Sequence, residues 1–288
     1  MPDRGAGFAR LLADWSAAAE PRPALLMGVV NVTPDSFSDG GLFADADRAI
    51  GQGRRHAAEG AAIVDIGGES TRPGGEPVDE AEELRRVLPV VSALAGSDAL
   101  VSIDTVKPAV AREALEAGAH IVNDVRGLQG DPALAEVAAA CRAGIVAMHN
   151  PALFGSSSGT EGDAVAACIG YFGRTIDIAE RAGIAADRIV LDPGLGFGKT
   201  LEQNLALIAR LEELAVLGLP LLVGASRKSF LGKLLDRPVD QRLHATLAAH
   251  MAAALHGAAI LRVHDVAEHV DFVRVAAALR AVAMEAAA

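Results

Sequence analysis

The 288-residue sequence predicts an α/β protein in which eight parallel strands close into a single (β/α)8 TIM barrel, with long loops after strands 1 and 2. Eight short runs rich in Val, Ile and Leu alternate with Ala- and Leu-rich segments of helical period, separated by polar or glycine-bearing loops. This alternation favours parallel strands covered by helices. An open doubly wound sheet is the alternative, but it would usually have fewer strands and a glycine-rich fingerprint after the first, which this sequence lacks.

The elements follow in order from an N-terminal extension over residues 1–23, predicted to be helical, into a barrel over 24–285. Asp131 and Pro132 suit an N-cap and a first helical residue, and Gly183 suits a helix end. The predicted strands cover 24–31, 62–69, 100–105, 121–125, 144–149, 189–194, 221–226 and 260–265.

Composition limits the classes of protein. Apolar residues make up 51% of the chain, enough for a large core, yet no run reaches the ~18 apolar residues of a membrane span. The N-terminus has no long apolar segment typical of a secretory signal, so a soluble, cytoplasmic protein is expected. A net charge of −11 argues against a nucleic-acid partner, because phosphate backbones are bound by clustered Lys and Arg. Cys141 and Cys168 are expected to be buried free thiols.

Every predicted strand ends in a side chain that can ionise or form hydrogen bonds, and a barrel brings these ends together at its C-terminal face. A single residue of this kind is usually a helix cap, a role that suits Asp124 and Ser226. A whole set favours a polar ligand, since each buried unpaired polar group costs ~1–3 kcal/mol. The strand-end residues are Asn31, Glu69, Asp104, Asn123, Asp124, His149, Asp192, Ser226, Arg262 and His264.

Asp104, Asn123 and Asp192 form a carboxylate, amide and carboxylate set on strands 3, 4 and 6. Such a set suits a flat heterocycle with an aminopyrimidine edge, whose ring N–H and exocyclic amine donate to carboxylates. A metal site is the competing interpretation. It is the weaker one for a transition metal, because only His149 and His264 lie near strand ends.

The segment 192–200 resembles a phosphate-binding P-loop but has Pro193 where that motif needs glycine. We interpret it as a glycine-bent loop after strand 6 that lets the backbone approach a flat ligand, with a plain flexible turn as the alternative. Lys228 follows strand 7, where its ammonium would donate to a carbonyl or ring nitrogen of the ligand; the alternative is a solvated loop lysine.

Arg262 and His264 alternate on strand 8 and therefore face the same side, opposite Val263. Two such side chains at a barrel mouth predict an anion site, and phosphate sites after strands 7 and 8 are frequent in this fold. Asn31, at the end of strand 1, would ligate Mg²⁺ that also binds phosphate oxygens.

Two long polar loops, 31–47 and 67–80, follow strands 1 and 2, and each carries proline and paired glycines. Loops of this length are uncommon in a compact barrel without a function, and their composition is typical of a lid that closes over the mouth. The loop residues expected to cover a ligand are Phe37, Asp39, Thr71, Arg72 and Pro73.

Seven stretches, in order between about residues 24 and 270, together resemble the dihydropteroate synthase family: MGVVNVTPDSFSDGG, DIGGESTRPG, SIDT, IVNDV, LDPGLGFGKT, GASRKSFLG and RVHDV. The resemblance implies a folate-pathway transferase that is a sulfonamide target. Such enzymes join 4-aminobenzoate to 6-hydroxymethyl-7,8-dihydropterin diphosphate, giving 7,8-dihydropteroate and pyrophosphate. A Mg²⁺ cofactor, small-molecule substrates and a homodimer are also implied.

The resemblance assigns residues to these tasks. Pterin binding is implied for Asp104, Asn123, Met148, Asp192, Phe197, Gly224 and Lys228. Pyrophosphate binding is implied for Asn31, Arg262 and His264, with Asn31 as a Mg²⁺ ligand, and a 4-aminobenzoate pocket for Phe37, Thr71, Arg72, Pro73 and Ser229. Catalytic roles are implied for Asp39, Lys228 and Asp192, in a dissociative, SN1-like route in which pyrophosphate leaves first and Asp39 stabilises the remaining pterin cation.

One stretch departs from the family's pattern. Residues 148–162 are rich in Ser and Gly where the family has Met-His-Met followed by Arg or Gln, glycine and Thr-Pro. Two alternatives stay open as a result, a non-catalytic pterin-binding paralogue and a pterin-dependent methyltransferase domain. The intact lid and anion motifs argue against the first, and the lack of a cobalamin-binding module argues against the second.

Overall fold

The computed structural model describes residues 2–17, 22–32, 41–69, 77–151 and 162–287. Strands and helices alternate along this part of the chain. The strands are β1 (Leu25–Asn31), β2 (Ile63–Gly67), β3 (Leu100–Asp104), β4 (Ile121–Asp124), β5 (Gly144–Met148), β6 (Ile189–Asp192), β7 (Leu222–Val223) and β8 (Ile260–Val263). The helices are α1 (Ala6–Ser16), α2 (Gly41–Glu59), α3 (Glu80–Leu94), α4 (Pro108–Ala117), α5 (Pro132–Ala140), α6 (Ala164–Ala182), α7 (Leu201–Ala209), α8 (Ser229–Leu235), α9 (Leu243–Leu255) and α10 (Val266–Ala287).

The eight strands form one parallel sheet in the order β6-β5-β4-β3-β2-β1-β8-β7. A further bridge, between Leu191 and Leu221, brings the two edges together and nearly closes the barrel. The predicted (β/α)8 TIM barrel is confirmed. Several strands end earlier than predicted; β6 stops at Asp192 because Pro193 has no amide hydrogen to donate to a neighbouring strand.

An apolar plug fills the N-terminal end of the barrel. Helix α1 packs Phe8 and Leu12, both buried, against one layer of strand side chains, and burying each contributes ~1.5–3 kcal/mol. That layer consists of Met27, Ile63, Ile121, Val146, Val190, Leu222 and Ile260. The plug leaves the C-terminal end as the open mouth. The division of the chain into an extension and a barrel domain remains a prediction.

The helix ends follow the local sequence signals. Asp131 accepts a backbone N–H at 2.9 Å as the N-cap of α5, Pro132 is the first residue of that helix, and Gly183 ends α6 in the left-handed conformation. All three predictions are confirmed. Cys141 and Cys168 are buried and form no disulfide within the described residues, as predicted. Within the described ranges, no helix combines the length and the apolarity that crossing a membrane requires.

Candidate active site

Polar side chains replace apolar ones above the plug. The strand register places Asp104 opposite Asn123, and Met148 opposite Asp192. Asp65 lies deeper in the barrel, on β2. All three acids are buried, with less than a tenth of each residue exposed. The barrel therefore directs several buried carboxylates and an amide toward its mouth.

Arg262 is the cation of this polar layer. Its Nε donates to Asp65 Oδ2 at 2.7 Å, and a terminal guanidinium nitrogen donates to Asp104 Oδ2 at 3.0 Å. Asn123 Nδ2 donates to the same Asp65 oxygen at 3.0 Å. The Oδ1 atoms of both acids are buried and accept no hydrogen bond within the described part of the chain. An unsatisfied buried acceptor costs ~1–3 kcal/mol, so these two oxygens favour a ligand that brings N–H donors.

Sequence reasoning misses Asp65. It selects Glu69 as the polar end of strand 2, and that side chain instead pairs with Lys107. The signal for Asp65 is present in the run Ile63–Gly67, where a single acid interrupts a buried strand. A charged residue in such a place is rarely buried without a partner, and here the partner is Arg262.

Burial shifts the pKa values of the charged groups in the mouth. It raises the pKa of Asp104 to about 7, against the opposing effect of Arg262. It also raises the pKa of Asp192, whose Oδ1 accepts the N–H of Gly194 at 2.8 Å. It lowers the pKa of Lys228 to about 7, and the Asp192 charge opposes that fall. Near neutral pH, hydrogen bonds from a ligand would therefore decide the charges of Asp104 and Lys228.

The other residues implied for pterin binding add apolar and open surfaces to the mouth. Lys228 Nζ lies 4.0 Å from the centre of the Phe197 ring, a cation–π contact between the loops after β6 and β7. Met148 is buried at the end of β5. Gly224 leaves space beside Arg262, since a Cβ there would stand 3.6 Å from the Arg262 Cβ. Such surfaces beside a charged layer suit a flat polar ring.

His264 lies beyond the end of β8, on the same side as Arg262. Its Nδ1 is 2.9 Å from Ser226 Oγ, which also accepts the His264 N–H at 3.2 Å. Val263 is buried on the opposite side, as the alternation predicts. The prediction that Ser226 caps a helix is wrong, because its hydroxyl bonds to β8 residues rather than to α8. Ser229 is the exposed first residue of α8.

Besides Glu69, two further strand-end residues do not contribute to the mouth. His149 Nδ1 lies 3.1 Å from Cys168 Sγ, and its ring packs edge-on against Tyr171 with centroids 4.8 Å apart. Burial lowers the pKa of His149 to about 3, so it is neutral. The expectation that it converges on the mouth is wrong, because Met148 takes the inward position and the next residue faces outward. Asp124 accepts two backbone N–H groups, at 2.8 and 2.7 Å, which close a turn over residues 125–128. The prediction that it caps a helix is wrong, because the next helix, α5, has Asp131 as its N-cap.

Five of the predicted site residues belong to the two long loops. Phe37 and Asp39 of the first loop, and Thr71, Arg72 and Pro73 of the second, lie outside the described residues. Most of the unusual stretch after strand 5 also lies outside them. The roles of these residues stay predictions.

Asn31 offers the mouth an amide oxygen. A Cβ built on Gly67 would lie 3.9 Å from Asn31 Oδ1 and 3.7 Å from Asp104 Oδ2. Among the described residues there is no cluster of three or more His, Cys, Asp or Glu side chains that could hold a metal ion. Mg²⁺ does not need one, because it keeps several waters and takes one or two protein oxygens together with phosphate. The described residues therefore fit an oxygen-bound ion shared with a ligand better than a transition-metal centre.

Known proteins match this chain over most of its length. Residues 27–264 match the pterin binding enzyme family. A dihydropteroate synthase from Synechocystis sp. is 45% identical over 273 residues, which cover 93% of this chain and 92% of that protein. The Xanthomonas albilineans dihydropteroate synthase solved with 4-aminobenzoic acid has a TM-score of 0.84 and 45% identity, covering 90% of this chain and 94% of that one. The Yersinia pestis dihydropteroate synthase solved as a sulfonamide drug complex has a TM-score of 0.83 and 44% identity, with the same coverage of 90% and 94%.

A parallel barrel with a buried layer of acids and an amide in its mouth, matched over residues 27–264 by one family, defines a pterin-binding enzyme. Within that class the chain belongs to the dihydropteroate synthase family of transferases, which confirms the resemblance drawn from the motifs. The match extends over nearly the full length of both proteins, and it favours the synthase over the paralogue and the methyltransferase domain.

Proposed function

We propose that this protein condenses 6-hydroxymethyl-7,8-dihydropterin diphosphate with 4-aminobenzoate, giving 7,8-dihydropteroate and pyrophosphate for folate biosynthesis. One observation carries the proposal: two buried carboxylate oxygens, Asp65 Oδ1 and Asp104 Oδ1, have no donor within the described part of the chain. An aminopyrimidine edge supplies N–H donors of the kind that carboxylates accept in pairs. The acceptors of the polar layer thus match the edge of a pterin.

Binding of the ring would also fix the charges around it. N–H donors from the ring favour the ionised form of Asp104, and a carbonyl or nitrogen acceptor favours the protonated form of Lys228. Both pKa values are about 7 in the free protein, so the bound ring would move the first down and the second up. Fixed opposite charges would then hold the ring in one orientation.

The end of β8 would receive the diphosphate. Arginine has five N–H donors, more than the contacts of Arg262 with Asp65 and Asp104 use. His264 lies two residues further on, at the rim. Asn31 would hold Mg²⁺, which when bound supplies positive charge beside the diphosphate oxygens.

We propose a dissociative, SN1-like route. The bond from the pterin methylene carbon to the diphosphate oxygen breaks first, while Arg262 and His264 stabilise the charge on the leaving group. The amine of 4-aminobenzoate then forms the new C–N bond and loses a proton, and Asp39 of the first loop stabilises the cation between these two steps. Asp39→Ala should lower kcat far more than pterin affinity, and equal losses of both would reject this role.

Asp192→Asn tests the pterin site directly, because it removes one charge and keeps the shape of the side chain. We expect the Kd for the pterin diphosphate, measured by calorimetry without 4-aminobenzoate, to rise ~10- to 100-fold, since a charged hydrogen bond contributes ~1.5–3 kcal/mol. Asp187→Asn is the matched control, at an exposed position just before β6 at the far end of the barrel. An unchanged Kd in Asp192→Asn would contradict the proposed site.

We also propose a homodimer in the cytoplasm, which rests on the family resemblance. Exposed apolar side chains on α10 support the dimer, because a second copy would cover them: Val275, Leu279 and Val282 are each more than half exposed. Sedimentation at micromolar concentration should give the mass of two chains. A single-chain mass there would contradict the dimer.

A further inference from the structure

Lys199 joins the ends of two strands beside the candidate pterin site. Its Nζ donates to three backbone carbonyl oxygens, those of Gly194 at 2.8 Å, His149 at 3.0 Å and Phe197 at 3.2 Å. His149 directly follows β5, whereas Gly194 and Phe197 belong to the loop between β6 and α7. One ammonium group therefore ties the end of β5 to the β6–α7 loop.

The three carbonyl groups belong to, or adjoin, residues that face the proposed ring. Met148 immediately precedes the β5 carbonyl. Gly194 donates its N–H to Asp192 Oδ1 at 2.8 Å. Phe197 places its ring 4.0 Å from Lys228 Nζ. A shift of the β6–α7 loop would consequently displace a thioether, a carboxylate and an aromatic ring relative to one another.

The Lys199 side chain is half-buried, and three carbonyl oxygens hold its ammonium group. Burial lowers the pKa of Lys199 to about 8, while Cys168 on α6 and Asp192 on β6 oppose the fall. His149 and Lys228 are the other titratable groups whose pKa values respond to its charge. A lysine ammonium has three N–H donors, one for each carbonyl. The neutral amine has two, so loss of the proton would leave one carbonyl without its donor.

We propose that Lys199 is a positioning residue for the pterin substrate. It holds the β6–α7 loop against β5 so that Met148, Asp192 and Phe197 form one slot for a flat ring. The inference rests on the proposed function, because it assigns Lys199 to the substrate that this slot would bind. The family resemblance implies that the 4-aminobenzoate pocket lies on other segments, the two long loops and Ser229. A change at Lys199 should therefore weaken binding of the pterin but not of 4-aminobenzoate.

Lys199→Met keeps most of the side-chain length and removes the charge and the donors. Lys233→Met is the matched control, since Lys233 is exposed on α8. We expect the KM and the Kd for the pterin diphosphate to rise at least ~tenfold in Lys199→Met, with the KM for 4-aminobenzoate within ~twofold of the wild type. Lys233→Met should match the wild type in all three. Equal rises in both KM values, or no rise in either, would overturn the proposal.

A second measurement separates positioning from a merely structural role. The ratio of the pterin Kd in Lys199→Met to that in the wild type should be largest below about pH 8 and should fall above it, as Lys199 in the wild type loses its proton and one of its three donors. Because the pKa of Lys228 responds to the Lys199 charge, the same ratio is also measured in a Lys228→Met background, where Lys228 cannot titrate. A ratio that stays constant from about pH 6.5 to about pH 9.5 would contradict the role of the charge.

Lys199→Arg decides the matter if Lys199→Met does not fold. It keeps the charge, but a planar guanidinium does not present its donors from one point as an ammonium does. A selective rise in the pterin Kd is again expected, and an unchanged Kd would overturn the proposal. A wild-type protein that binds the pterin diphosphate but forms no dihydropteroate would refute the proposed function instead, and the binding test of Lys199 would still apply.

Discussion

Gly194 is the position at which one added methyl group should most disturb the proposed pterin site. It has φ = +67°, and a Cβ there would lie 2.2 Å from the His149 carbonyl oxygen and 3.1 Å from Met148 Cγ. The left-handed conformation costs ~1–2 kcal/mol for a residue with a Cβ, and overpacking typically adds ~1–3 kcal/mol. Gly194→Ala should therefore lower the free energy of unfolding by ~2–5 kcal/mol.

Gly183→Ala is the control for the backbone term alone. Gly183 has φ = +82°, and a Cβ there would meet no atom within 4 Å. This variant should lose only ~1–2 kcal/mol, measured by urea denaturation beside Gly194→Ala. Calorimetry should show a pterin Kd at least ~tenfold higher in Gly194→Ala. The added methyl group would displace the Gly194 N–H, and with it the charge-assisted hydrogen bond that holds the Asp192 carboxylate. Equal stability losses and equal Kd values in the two variants would refute the reasoning.

Three further predictions concern charged groups. Asp65→Asn leaves half-buried Arg262 with one charged partner fewer and should lower the free energy of unfolding by ~1.5–3 kcal/mol in urea denaturation. The same loss in an Arg262→Met background would contradict the pairing. His250 and His269 lie ring nitrogen to ring nitrogen at 2.9 Å, and burial lowers the pKa of both. As pH falls below about 6.5, the unfolded chain binds protons before the folded protein does. The free energy of unfolding should therefore be level above that pH and fall below it by up to ~1.4 kcal/mol per pH unit for each histidine. A variant His269→Asn with the same dependence of stability on pH would contradict this prediction. Asn31→Ala should raise the Mg²⁺ concentration for half-maximal activity at least ~tenfold, and an unchanged Mg²⁺ dependence would remove Asn31 as a ligand.

The barrel can be predicted from the sequence because the spacing of apolar residues and the position of glycines at the ends of helices are local properties of the chain. The same holds for Asp104, Asn123 and Asp192, which stand at the last inward position of their strands. Position at a strand end is not sufficient, as His149 shows, because the alternation of side chains decides which face a residue takes. The same alternation, applied to the middle of β2 rather than to its end, would have predicted that Asp65 faces the interior of the barrel.

Lys199 marks the limit of sequence reasoning at this site. Its first carbonyl partner, on His149, is 50 residues away along the chain, and the pairing exists only once β5 and β6 are neighbours. Residues 192–200, which resemble a P-loop only in part, do not predict a contact with His149. The contacts of Arg262 with Asp65 and Asp104 are equally hard to predict from the sequence, because they join residues 197 and 158 positions apart.

Product formation is the most direct test of the central claim, that the polar layer of the barrel mouth serves dihydropteroate synthesis. Purified protein would be given the pterin diphosphate and Mg²⁺, with and without 4-aminobenzoate, while chromatography follows dihydropteroate and a coupled assay follows pyrophosphate. We expect equal amounts of the two products when 4-aminobenzoate is present, and a sulfonamide should compete with that substrate. Tight pterin binding with no dihydropteroate would contradict the claim.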